Sequence, residues 1–223
     1  MRSRLLAEGL GTGLLLYLVV GSGIAAQSLG QDEGTQLFSH AVVVGLGLAA
    51  LIAMFQTISG SHFNPAVTLG LWRTGDLSSS EALRYVGTQL VGAVLGVIAA
   101  NVTFGEAAMS VSDTVRSGVG LVTAEGIGTF VLVLSILLLV RTSRAPLVPA
   151  VVGAWVAAIV FATASSGFAN PAVTVARVFT DTYTGIAPES ILAFIAVQLL
   201  AGLVAALTVP VLSPRQVPVE TTT

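Results

Sequence analysis

Asn64-Pro65-Ala66-Val67-Thr68 and Asn170-Pro171-Ala172-Val173-Thr174 are the same five residues, met twice in one chain. Each opens an apolar stretch, 64–73 and 170–179, that is too short to cross a bilayer. At about 1.5 Å per residue such a helix reaches roughly 14 Å, about half the hydrocarbon thickness. Asparagine followed by proline suits a helix start: asparagine caps free backbone amides, and proline sits where its missing N–H would be unpaired. The pair therefore reads as two half-helices that dip into a membrane and return on the same side.

Around them lie six longer apolar runs, at about 5–27, 38–58, 82–104, 119–140, 147–166 and 187–209. Each meets the requirement of about 20 residues for a spanning helix. The arginines test the path. With six alternating spans, Arg2, Arg4, Arg73, Arg84, Arg141, Arg144 and Arg215 fall on one side and only Arg116 and Arg177 on the other. Positive charge concentrates on the cytoplasmic side, so both termini are expected there. The alternation works only if the two short stretches do not cross. The first run is long enough to span and no small-residue cleavage site follows it, so no cleavable leader is expected.

The repeat extends beyond the short stretches. Ala7-Glu8-Gly9-Leu10-Gly11-Thr12 returns as Ala124-Glu125-Gly126-Ile127-Gly128-Thr129, and Gln89 returns as Gln198. Each copy holds three spans and one half-helix, and an odd number of spans inverts the second copy. The expected division is a first repeat over 1–117, a second over 118–214, and a disordered tail over 215–223. Inverted repeats with broken helices place a site near the bilayer midplane.

Composition narrows the chemistry. The 223 residues are 54% hydrophobic and 9% charged, with a formal charge of -2. A soluble domain carries roughly a quarter charged residues, so the class is an all-α membrane protein. The net charge removes an electrostatic case for nucleic acid. There is no cysteine, all nine basic residues are arginine, and His40 and His62 are the only histidines. Thiolate chemistry, a Walker or Schiff-base lysine and a histidine-rich metal centre are excluded. No catalytic residue, metal or cofactor is expected.

Two half-helices entering from opposite faces aim both N-termini at the midplane. Each carries about half a positive charge and unpaired amides. That focus repels cations and leaves donors for a neutral solute. Asn64 and Asn170 are expected to cap the backbone through their carbonyls and to turn their NH2 groups into a lumen. Glu8 and Glu125 admit a proton-relay reading, but their symmetric placement suits acceptors that tether the re-entrant loops. Gln89 and Gln198 read the same way. His62 is expected to brace the first loop or line the pore wall, and His40 to be solvated or to sit between protomers.

These motifs resemble the aquaporin, or major intrinsic protein, family across nearly the whole chain. The resemblance rests on the paired Asn-Pro-Ala motifs in matching positions of the repeat. Ser59-Gly60-Ser61-His62-Phe63 and the intramembrane Glu8 and Glu125 add to it. It implies an hourglass of six helices plus two half-helices, a pore in every protomer, and a homotetramer in a bacterial inner membrane. It also implies a four-position filter outward of the Asn-Pro-Ala centre. Water-selective members place arginine directly after the second Asn-Pro-Ala and histidine in the fifth span. Here that first position is Val173, the second-span position is Val44, and the others are Ile159 and Phe168, or alternatively Ala158 and Gly167.

Without the arginine and histidine, a water-only filter is not expected, because selectivity rests on diameter, lining donors and electrostatic barriers. The Phe168–Thr174 wording, followed by Ala176-Arg177, resembles a bacterial branch associated with arsenic resistance. That implies arsenous acid, glycerol or water as permeants. Arg177 lies one turn beyond Val173 and reads either as a displaced vestibule charge or as an outer-face arginine paired with Asp181. Rival functions are a water-selective channel of the same family, then a secondary transporter and a closed-pore structural protein. An enzyme is the least favoured class.

Overall fold

The computed structural model describes residues 1–30 and 32–213; the expected tail at 215–223 lies outside the described residues. Among the described residues, eight α-helices follow in chain order: α1 Arg2–Ser28, α2 Glu33–Ser59, α3 Pro65–Arg73, α4 Ser79–Thr103, α5 Val119–Arg141, α6 Val148–Ala162, α7 Pro171–Ala176 and α8 Pro188–Leu212. Short 3-10 turns at Ala145–Leu147 and Arg177–Phe179 extend α6 and α7. Six of the helices are long and apolar enough to cross a membrane, counting the turn before α6 with it. The remaining two, α3 and α7, are the half-helices. The fifth long helix is shorter than its apolar run, ending at Ala162, because Ser165 to Ala169 belong to the second re-entrant loop.

Local sequence explains the ends. Asp32 caps α2 by accepting from the Thr35 amide, and Ser78 with Glu81 forms a capping box on α4. Asn64 and Asn170 cap α3 and α7, each with proline as the first helical residue.

The main helix pairs are α1 with α4, α1 with α2, α2 with α6, and α5 with α8. Small residues permit the closest of these. A Cβ on Gly96 would stand 2.0 Å from the Gly13 carbonyl oxygen, so α1 and α4 touch backbone to backbone. Membrane helices lack a hydrophobic drive to associate with one another, and close approach through small residues takes its place. Each half-helix then packs on the last span of the other half: α3 on α8 and α7 on α4. Large apolar side chains cover the outside, among them Leu83, Val119, Leu192 and Val211. The chain is an all-α, multi-pass membrane protein built from six long apolar helices and two half-helices.

Below, the face that carries the described N-terminus is called the terminal face and the opposite one the distal face.

Candidate functional site

The two re-entrant loops hold their backbone in a conformation that most residues avoid. Ser61, Phe63, Ser166 and Ala169 have positive φ values of 52°, 49°, 57° and 47°. A non-glycine residue there costs roughly 1–2 kcal/mol, so something must hold each loop. Two buried carboxylates do so.

Glu8 accepts from the His62 amide at 2.9 Å, the Phe63 amide at 2.8 Å, the Ser59 hydroxyl at 2.7 Å and the Gln89 amide nitrogen at 2.8 Å. Glu125 accepts from the Phe168 and Ala169 amides, both at 2.8 Å, and from Gln198 at 2.6 Å. Gln89 and Gln198 continue to Thr68 and Thr174, one turn inside α3 and α7. His62 reaches Thr68 at 3.1 Å and packs on the ring of Tyr85. Both oxygens of each carboxylate are thus taken up by donors from the loop and a neighbouring helix.

The asparagines occupy the junction of α3 and α7. Asn64 Oδ1 accepts from the Ala66 amide at 2.8 Å, and Asn170 Oδ1 from the Ala172 and Val173 amides at 2.9 and 3.3 Å. Their Nδ2 groups cross the junction. Asn64 donates to the Ala169 carbonyl and Asn170 to the Phe63 carbonyl, both at 2.8 Å. One N–H of each amide is therefore engaged, which differs from the expectation that the whole NH2 faces a lumen. The cause is close contact of the two loops, which brings each capping amide against the carbonyl preceding the other motif. The second hydrogen of each Nδ2 has no protein acceptor among the described residues.

Both asparagines line a narrow cavity of about 60 Å³. At about 10–15 Å³ per water centre, this holds a short file of water-sized molecules. Its wall is built from helical stripes with a spacing of four. Leu48 and Ile52 continue from His40 and Val44 on α2, and Val148, Val152, Val156 and Val160 come from α6. The loop residues Gly60 to Phe63 and Ser166 to Ala169 complete it. The cavity therefore has a mostly apolar wall interrupted by loop polar groups and two asparagines. Pro65, Ala66, Pro171 and Ala172 are buried behind it in the first turns of α3 and α7.

Of the expected filter positions, Val44, Phe168 and Val173 line the cavity, as does the alternative Gly167. Ile159 and Ala158 do not. Helix α6 turns Val156 and Val160 inward instead, while Ala158 is exposed. Ile159 packs over the glycines: a Cβ on Gly167 would lie 2.6 Å from its side chain, and one on Gly128 3.2 Å away. Counting residues back through a loop of unknown shape misses this helical phase by one position.

His40 also departs from expectation. It is 3% exposed, hydrogen-bonded to Ser22, and lines the cavity one turn distal to Val44. Arg177 is 4% exposed and lines it one turn distal to Val173. Its Nε donates to the Thr184 carbonyl, and its guanidinium lies 3.5 Å from the centroid of the Phe168 ring. The outer-face reading with Asp181 does not hold, since the one ion pair among the described residues joins Arg4 to Glu81. The signal for both residues was available: each stands four places from an expected filter position on the same helical face.

The chain is similar to known proteins in sequence and in fold. Residues 1–168 match the family model described as major intrinsic protein. The chain is 40% identical over 202 residues to the aquaglyceroporin AqpS of Rhizobium meliloti (strain 1021), covering 91% of this chain and 86% of that protein. It is 36% identical over 93 residues to the glycerol uptake facilitator protein of Escherichia coli (strain K12), covering 42% of this chain and 32% of that one. The X-ray structure of the aquaglyceroporin from Plasmodium falciparum superimposes with a TM-score of 0.77 at 20% identity, covering 92% of this chain and 94% of that one.

Proposed function

Because the chain belongs to the major intrinsic protein family, whose members are passive channels rather than enzymes, we propose that its cavity conducts small uncharged hydroxyl-bearing solutes across the membrane. Glycerol and arsenous acid are the solutes put forward, with water as a further permeant. The observation that carries the reading is the asparagine pair. Two helix N-termini face one another, each capped by an asparagine whose remaining amide hydrogen is free for a solute oxygen. Positive helix ends at the centre of a low-dielectric wall disfavour cations, and a permeant that accepts hydrogen bonds is oriented there.

The mouth favours more than water alone. Val173 presents an apolar side chain where water-selective members of the family carry arginine, and Val44 lines the same cavity, leaving a wall suited to carbon-bearing polyols or to As(OH)3. The names borne by the R. meliloti and E. coli relatives point to the same solute class. Two inverted units, over 1–117 and 118–214, both termini in the cytoplasm of a bacterial cell and a homotetrameric assembly belong to the same proposal.

The test is stopped-flow measurement of water, glycerol and arsenite permeability in vesicles of the purified protein. Glycerol and arsenite flux well above empty vesicles is expected. Flux of water alone would replace this reading by a water-selective channel, and no flux of any solute would remove it.

A further inference from the structure

The distal mouth contains two polar side chains that the loop tethers do not use. Arg177 is buried, yet among the described residues no carboxylate pairs with it. An unpaired buried cation is costly, so its surroundings must favour it strongly. They do so through contacts that leave its ends free. The Thr184 carbonyl takes the Nε hydrogen, and the Phe168 ring lies against the face of the guanidinium. Cation–π contact of this kind strengthens where water is excluded. A second guanidinium, Arg116, stands 5.3 Å from the centroid of the same ring and is fixed by the Gly185 and Tyr183 carbonyls. Neither Nη group of Arg177 has a protein acceptor among the described residues, and the side chain lines the cavity.

His40 supplies the complementary group. The Ser22 hydroxyl lies 3.2 Å from the Val19 carbonyl and 2.8 Å from His40 Nδ1. The assigned tautomer is the one in which that hydroxyl donates to Val19 and Nδ1 carries the ring hydrogen. In the neutral ring it leaves Nε2 as an acceptor with no protein partner among the described residues, on the same cavity wall. One loop segment sets both groups: Tyr183 packs edge-on against His40 with 5.8 Å between centroids, and its neighbour Thr184 holds Arg177.

We infer that Arg177 and His40 form a hydroxyl-recognition subsite at the distal mouth, one turn distal to the valine pair, and that this subsite sets the solute specificity of the passage. A neutral polyol accepts a hydrogen bond from the guanidinium and donates one to the imidazole, while its carbon skeleton lies on Val44 and Val173. A cation meets the guanidinium charge and gains no compensating contact. The inference rests on the channel reading above and deepens it. Phe168 and Thr184 are positioning residues for Arg177.

The test compares wild type, Arg177→Gln, Arg177→Lys and His40→Leu in reconstituted vesicles, reading glycerol flux, water flux and sodium leak. His40→Leu is expected to lower the glycerol-to-water ratio about tenfold, the loss of one solute hydrogen bond, with sodium still excluded. Arg177→Gln is expected to lower the same ratio and to raise sodium leak by about tenfold or more. Arg177→Lys should retain sodium exclusion while the glycerol ratio still falls, because an ammonium keeps the charge and loses the fixed fork. Wild-type ratios and leak in both Arg177→Gln and His40→Leu would overturn the subsite alone. Absence of flux in wild type would overturn the channel reading instead. The lysine variant and His40→Leu keep the comparison open if Arg177→Gln fails to fold.

Discussion

Asn170 uses its side chain twice, as acceptor for the first turn of α7 and as donor to the Phe63 carbonyl of the opposite loop. Aspartate would keep the cap and reverse the second contact, setting a carboxylate against a carbonyl oxygen. Asn170→Asp is therefore expected to loosen the junction and place negative charge at the centre of the passage. Cation conductance across a planar bilayer should rise clearly above wild type; unchanged cation exclusion would remove the electrostatic account of the centre. Glu125 makes a different prediction. Glu125→Ala strands the Phe168 and Ala169 amides and the Gln198 side chain, each buried donor costing about 1–3 kcal/mol when unpaired. A marked fall in the thermal inactivation temperature of the detergent-purified protein is expected. Glu125→Gln, which retains one acceptor oxygen, should fall less.

At the scale of elements, the half-helices and the glycine crossings divide the labour. Helices α3 and α7 are short because asparagine and proline start them and the chain turns back within three turns; that much is local chemistry. What holds α1 against α4 is absence of side chain. A methyl group on Gly96 would overlap the Gly13 carbonyl, a backbone atom that cannot rotate away, whereas Gly87 on the same helix has open space around it. Gly96→Ala is expected to cost about 1–3 kcal/mol, the usual penalty of overpacking. It should appear as a lowered unfolding midpoint in detergent, with Gly87→Ala neutral or slightly stabilising. Equal effects of the two substitutions would show that the crossing does not depend on backbone contact.

Taken whole, the molecule presents an apolar exterior and an inner cavity lined mostly by apolar side chains, with little ionisable chemistry between. Glu8 and Glu125 are the carboxylates buried within its spanning helices, and both are occupied by loop donors. A coupled transporter needs a group that gains and loses an ion during the cycle, and neither is free to do so. Glycerol flux is accordingly expected to continue unchanged when an ionophore collapses the membrane potential, measured as light scattering in vesicles held at a fixed solute gradient. Flux that stops with the potential would favour coupled transport.

Much of this architecture was legible before any coordinates. Asn-Pro-Ala at 64 and 170, six apolar runs and a one-sided distribution of arginine are short-range properties of the chain. Helix starts and spanning length are set within single segments, so the six spans and two half-helices could be read from amino-acid order, and the family from the resemblance of the paired motifs. The remainder required tertiary contact. No spacing rule says that Asn64 and Asn170 donate into one another's loops, since the partners lie 105 and 107 residues away. Neither does it say that α6 shows Val156 and Val160 rather than Ile159 to the cavity, because the phase of a helix is set by packing over Gly167 and Gly128. The burial of Arg177 on Phe168 and of His40 on Ser22 was decided in the same way, by surfaces that exist only once the helices have met.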